Sequence, residues 1–289
     1  MHETPVPESL WRLLRPLHWT KNLFILVPIP FAIAAQQGGP WSLGVTLLGV
    51  SGFSALASAV YAFNDVWDRR SDRQHPRKRL RPVAAGAISP GRALSCSAVL
   101  VVVGLLLCAA TGRDGAVAIG GTYLALQLFY TLLGKRVPLV DVFLLALGYV
   151  LRVVFGCALA AATPSSWLLL CTSALALFLG LAKRRADLQF GTSHRPALRG
   201  YDVRFVDQAL AISGGGALVC YALYAMDAQV LIRGREFWGV PFVAFGILEY
   251  LRLVHCEGEG GTPVETLLRT PTLWLCVLGW AVATYLGLA

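Results

Sequence analysis

The sequence predicts an all-α integral membrane protein, a bundle of about nine transmembrane helices with its active-site loops on the cytoplasmic face. Composition, recurrent apolar runs and a lopsided distribution of basic residues carry that expectation. Of 289 residues, 56% are hydrophobic and 14% charged, with mean hydropathy +0.62. Soluble domains carry about 25% charged residues, so this chain has too little polar surface to coat a globule, and lipid must replace water around it. Apolar runs of roughly 18 residues or more recur along the whole chain, which excludes a soluble domain on a single anchor. All but four of the 25 lysines and arginines fall on one side of the resulting topology, the exceptions being Arg113, Arg152, Arg233 and Arg235. The positive-inside rule places that side, with the N-terminus, in the cytoplasm of a plasma-membrane protein. The net charge of +9 is therefore a topology signal and not a nucleic-acid footprint. It also supplies a cationic face for anionic substrates or lipid headgroups.

In chain order the spans are expected at 22–36, 41–63, 93–111, 115–133, 138–161, 165–182, 206–228, 237–254 and 272–289, all in one transmembrane domain, 1–289. Residues 1–21 contain Glu3, Glu8 and three prolines, and no small-residue cleavage site follows the first apolar run. They read as an interfacial segment with Trp11 and Trp19 at headgroup level, not as a cleaved signal. Pro28 and Pro30 interrupt the first span. Outer connections are short, as at Gln37-Gly38-Gly39-Pro40, whereas the inner loops 64–91 and 183–205 are long and polar, where function usually sits. The seven cysteines form no CxxC pair and read as small packing residues. Gly214-Gly215-Gly216 lacks the strand-turn-helix context of a phosphate loop and reads as helix packing. The lone histidines His18, His194 and His255 have no ligand spacing.

Chemistry concentrates at the inner end of the second span, in Asn64-Asp65-Val66-Trp67-Asp68-Arg69-Arg70-Ser71-Asp72. A continuing helix would place Asp65, Asp68 and Asp72 on one face at i, i+3 and i+7. Stacked like charges need a cation, and Mg2+ favours one or two carboxylates plus substrate phosphate oxygens. The competing reading is a solvated helix end whose aspartates pair with neighbouring arginines, although carboxylates at a membrane boundary are expensive. Lys78, Arg79 and Arg81 follow at once, suited to the phosphates such a metal bridges. The same face carries Lys135 and Arg136 with Asp141, then Lys183 and Arg184 with Asp187, then Arg195 and Tyr201. Arg152 sits within an apolar run, where an arginine is either functional or paired, Asp141 being the available structural partner. Lys21 enters the first span.

Residues 64–72 match the NDxxDxxxD motif of the UbiA superfamily of intramembrane prenyltransferases, and the nine-helix layout resembles that family along the whole chain. Members that prenylate aromatic rings carry a second aspartate-rich motif after span 6. Here that place holds Lys183-Arg184-Arg185-Ala186-Asp187, which is similar to the decaprenyl-phosphate phosphoribosyltransferase branch. The segments 15–22, 72–86, 123–128, 149–156, 182–184 and 195–201 agree with that branch, as do Thr262 to Glu265. Asp187 stands where Glu is expected, and Arg269-Thr270 where an acidic residue often follows.

The resemblance implies Mg2+-dependent transfer of 5-phosphoribose from 5-phosphoribosyl-1-pyrophosphate to a polyprenyl phosphate, in arabinan precursor synthesis. It makes Asp65, Asp68 and Asp72 the metal ligands and, with Lys183, the catalytic group. Lys21, Asn64, Lys78, Arg79, Arg81, Lys135, Arg136, Asp141, Arg152, Arg184, Asp187, Arg195 and Tyr201 would bind substrate. A homo-oligomer is compatible with the family. Two other readings compete. An aromatic prenyltransferase needs the same first motif but a second carboxylate cluster, for which only Asp187 and Asp202 could serve. A transporter accounts for nine spans and Arg152, but not for aspartates stacked beside an arginine cluster.

Overall fold

Serine caps open two of the long helices. In the computed structural model, which describes residues 6–35, 41–74, 78–189, 196–227, 231–258, 266–267 and 269–288, α3 (Leu43–Trp67) opens on Ser42, whose side chain accepts from Val45 N. Likewise α5 (Pro90–Ala110) opens on Ser89, which accepts from Arg92 N, with Pro90 pre-set for the first turn. The chain enters through α1 (Val6–Leu14), turns at Arg15 in the left-handed region (φ 52°), and runs as a ten-residue 3-10 helix over Pro16–Ile25. Such helices rarely exceed three or four residues. Pro28 cannot continue it without losing a backbone bond, so α2 (Pro28–Ala34) restarts there.

The remaining helices are α4 (Arg69–Gln74), α6 (Ala116–Leu132), α7 (Val140–Leu159), α8 (Ser166–Gln189), α9 (Val203–Asp227), α10 (Val240–Cys256) and α11 (Pro271–Gly287). Among the described residues, seven stretches are long and apolar enough to cross a bilayer: Ser9–Ala34, α3, α5, Ala116–Arg136, α7, α8 and α9. The residues expected in the last two spans lie in α10 and α11, each 17 residues and shorter than those seven stretches. The first apolar stretch starts at Ser9 instead of residue 22, so much of the expected interfacial segment belongs to it. Leu13 and Ile25 are fully buried. Trp19 is half-buried, and its Nε1 donates to Ser58 Oγ on α3 at 2.9 Å. Trp11 is exposed.

Small residues let these helices approach closely. Gly52 of α3 faces Gly104 of α5 so tightly that a Cβ on either would lie about 3 Å from the other's carbonyl oxygen. At Gly156 of α7 a Cβ would stand 2.0 Å from the Ile25 carbonyl oxygen, so the 3-10 helix lies directly on α7. Gly214 packs against Phe178 and Ile247 inside α9, a packing role, whereas Gly215 and Gly216 face open space. All seven cysteines are free.

One end of the bundle gathers the polar loops. Thr131 Oγ1 of α6 donates to Asn64 Oδ1 of α3 at 2.6 Å, Lys135 pairs with Asp68, and Tyr201 donates to Asp141. The inner ends expected from the charge pattern are thus physically together.

Candidate functional site

The aspartate segment is not one helix face. The α3 helix ends at Trp67 with Asp68 as its C-cap (φ −89°, ψ 1°), and Asp72 sits on the separate α4. Hydrogen bonding resumes across the break, Asp72 N donating to Asp68 O at 2.8 Å. This corrects the continuous stack expected from spacing. The break turns Asp65 and Asp72 inward and leaves Asp68 partly open to solvent.

Each carboxylate meets a cation. Arg15 Nη2 donates to Asp65 Oδ1. Arg81 Nη1 lies 2.7 Å from Asp72 Oδ2 and 3.7 Å from Asp65 Oδ1. Lys135 Nζ pairs with Asp68 Oδ1. Arg81, expected on phosphates, is thus on the aspartates, while Lys78, Arg79 and Arg136 are exposed. Asp65 Oδ2 is buried with no hydrogen-bond partner, an acceptor aimed at nothing in the protein. Among the described residues no three His, Cys, Asp or Glu side chains group closely enough to hold a metal by themselves. The fit is therefore to a cation shared between one or two carboxylates and ligand oxygens, as Mg2+ prefers.

Deeper in the bundle stands Arg152. Its Nε donates to Asn22 Oδ1 (2.9 Å), Nη1 to Gly148 O (2.7 Å) and Nη2 to Tyr123 OH (3.2 Å). Phe53, Tyr123 and Tyr149 place their rings within 5.0–5.7 Å of the guanidinium. Asn22 is fixed in turn by donating to Ser54 Oγ at 2.8 Å. The ion pair with Asp141 considered from sequence is not formed. Arg152 is held by neutral acceptors and aromatic faces.

Asp141 belongs to a second network. Arg184 Nε donates to its Oδ2 at 2.6 Å and Tyr201 OH to its Oδ1 at 2.6 Å. Arg184 Nη1 also reaches Asp187 Oδ2 at 2.9 Å, while its Nη2 is buried with no hydrogen-bond partner. Tyr201 OH accepts from Leu139 N at 2.7 Å. Burial first, and then the bond to Asp141, push this phenol above its ordinary value. Asp141, Arg184 and Tyr201, grouped in sequence as substrate contacts, spend their polar atoms largely on one another. Arg195 lies outside the described residues, as do 262–265.

The His18 ring meets Tyr61 edge-on at 5.3 Å. Arg15 also lies over the Tyr61 ring, at 5.2 Å. Sequence reasoning set His18 aside and gave Arg15, Asn22, Tyr61, Tyr123 and Thr131 no role. Arg15, His18 and Asn22 sit within one eight-residue stretch, Arg15 to Asn22, that also holds Lys21, and polar residues at that density in an apolar entry segment are the signal that could have found them.

Residues 25–261 match the UbiA prenyltransferase family. The chain is 31% identical to a decaprenyl-phosphate phosphoribosyltransferase of Corynebacterium glutamicum, covering 94% of this chain and 84% of that one. It is 30% identical to the enzyme of the same name from Mycobacterium tuberculosis, over 93% and 90% of the two chains. Among solved structures, a UbiA homologue from Archaeoglobus fulgidus bound to GPP and Mg2+ superposes with TM-score 0.74 at 20% identity, over 96% of this chain and 98% of that one. The fold is therefore shared even where sequence has diverged. With a match over most of its length and its aspartates at the polar end of a helical bundle, the chain belongs to the UbiA prenyltransferase family.

Proposed function

We propose that this protein transfers 5-phosphoribose from 5-phosphoribosyl-1-pyrophosphate to a polyprenyl phosphate, decaprenyl phosphate in its named relatives, and releases pyrophosphate. The observation that carries the reading is the set of cations held on the aspartates: Arg15 on Asp65, Arg81 between Asp65 and Asp72, and Lys135 on Asp68. Two phosphate-bearing substrates need such a surplus of cations, whereas a neutral aromatic acceptor does not. The one acidic residue in the motif after span 6, Asp187, is already tied to Arg184.

Asp65 and Asp72, with Asp68 at the rim, would hold Mg2+, which when bound makes pyrophosphate a better leaving group. Arg81 and Lys135, held beside Asp72 and Asp68, would stabilise the negative charge that develops on that group. Lys21 and Lys183 would take the remaining phosphates, with Lys78 and Arg79, both exposed, at the entrance. An oxygen of the lipid phosphate attacks ribose C1, and the C1–O bond to pyrophosphate breaks with its electron pair leaving on pyrophosphate. The attacking phosphate is already an anion, so no strong general base is required. The product should be inverted at C1.

In this reading α10 and α11 complete nine crossings. At about 1.5 Å per residue, 17 residues cover about 25 Å, and flanking residues supply the rest of a hydrocarbon core of about 30 Å. The basic loops then face the cytoplasm. Purified protein given labelled phosphoribosyl pyrophosphate, decaprenyl phosphate and Mg2+ should move label into the lipid phase, and EDTA should stop it. Label remaining aqueous with Mg2+ present would contradict the proposal.

A further inference from the structure

We propose that Tyr201 is a positioning residue that acts through Lys135: it fixes the turn 134–140 and so holds the Lys135 ammonium opposite Asp68. The inference goes beyond the proposed reaction and rests on it only for the meaning of Asp68.

The turn is strained. Leu139 has φ 64° and ψ −48°, and Val140 N donates to Pro138 O at 2.8 Å. Those are the marks of a γ-turn with a positive central φ, which is rare and unfavourable for a residue bearing a Cβ. Such a conformation persists only where its surroundings over-determine it, and here they come from the loop before α9. Tyr201 OH receives the Leu139 amide at 2.7 Å and passes its own proton toward Asp141 Oδ1 at 2.6 Å. Gly200 abuts Pro138 so closely that a Cβ would lie 2.3 Å from its Cγ. Asp141 is anchored in turn by Arg184 of α8.

Tyr201, Asp141 and Arg184 are buried while Leu139 is exposed, so the bonds to Asp141 are made in low dielectric and support the partly buried one from the Leu139 amide. Lys135 lies in the 3-10 turn Gly134–Arg136, just ahead of the strained residue. That turn is closed by Val137 N donating to Gly134 O at 3.2 Å. A side chain as flexible as lysine needs a fixed backbone to be held on one carboxylate. Tyr201 touches neither Asp68 nor Lys135, and its hydroxyl is engaged on both sides inside the protein. Its influence must pass through the turn.

The test is a double-mutant cycle on the full chain in detergent with Mg2+, using pyrophosphate itself as the probe by calorimetry, together with amide exchange over 134–143. Tyr201→Phe keeps the ring and removes both bonds. It should speed exchange in that segment and weaken pyrophosphate binding by up to about tenfold, the worth of one or two buried hydrogen bonds. In a Lys135→Met background Tyr201→Phe should cost nothing further, because coupled residues are not additive. Pro138→Gly loosens the turn from its other side without touching the buried network and should behave likewise if Tyr201→Phe does not fold. Additive losses, or unchanged exchange at 134–143, would overturn the proposal. A wild-type protein that binds no pyrophosphate would instead defeat the proposed reaction, while the exchange result still decides the positioning role.

Discussion

Arg15 donates to one carboxylate oxygen of Asp65 and leaves the other, Oδ2, buried with no partner. A carboxylate satisfied on one side only, in the interior of a membrane bundle, is unfavourable unless a cation completes it. Oδ2 of Asp65 is the acceptor that the proposed site would offer to Mg2+.

Replacing Asp65 with Asn should remove that capacity while keeping shape. Turnover should fall at least about a hundredfold, the scale on which removing one charge-stabilising group acts. Membrane insertion and the detergent elution profile should be unchanged. Asp68→Asn should also abolish turnover with the protein still folded. An active variant of either kind, assayed at saturating Mg2+, contradicts the carboxylate assignment.

Asp141→Asn should act on stability first. Asp141 and Arg184 are both fully buried and 2.6 Å apart, and breaking such a pair from one side costs about 3–5 kcal/mol. A thermal-unfolding scan in detergent should show a clearly lowered Tm. An unchanged Tm would mean that Arg184 finds other partners.

Gly156→Ala should displace the entry segment. The added methyl would stand 2.0 Å from the Ile25 carbonyl oxygen, a backbone atom that cannot step aside alone. The 3-10 helix carrying His18, Lys21 and Asn22 must shift, so activity should fall more than helical content. Full activity with circular dichroism intact would show that the contact is not needed.

Arg152→Lys should not be conservative. Lysine cannot reproduce the fork that serves Asn22, Gly148 O and Tyr123. Leaving buried acceptors unmade costs about 1–3 kcal/mol, measurable as reduced thermal stability.

Tyr201 gives a pH signature. Its phenol is raised by burial and by the bond to Asp141, so the folded state favours the neutral form. That stabilisation is fully present below the unfolded value of about 10 and is lost as pH rises through the higher folded value. Alkaline destabilisation beginning near pH 10 should be smaller in Tyr201→Phe, measured by unfolding midpoint against pH.

Much of this was legible in the sequence, because lipid imposes length and charge asymmetry imposes sidedness. Seven of the nine expected spans, the break at Pro28, and the gathering of Asp65, Asp72 and Arg81 follow from those rules. What was not legible depends on contacts between distant residues. No spacing rule joins Arg15 to Asp65, or Asn22 to Arg152 across 130 positions. The helix break at Asp68 was hidden as well, since 64–74 has no proline or glycine to announce it. Asp141 reads in sequence as a substrate contact beside Lys135 and Arg136 or a partner of Arg152, and only its contacts with Arg184 and Tyr201 show a buried anchor.

The most direct measurement is a donor comparison on one purified preparation, with an Asp65→Asn control. One reaction receives phosphoribosyl pyrophosphate and decaprenyl phosphate, the other a prenyl pyrophosphate and 4-hydroxybenzoate, both with Mg2+. A phosphoribosylated lipid in the first, absent from the control and from the second pair, is the predicted result. Prenylated aromatic product alone would contradict the account and make the cations beside Asp65 partners of a single pyrophosphate.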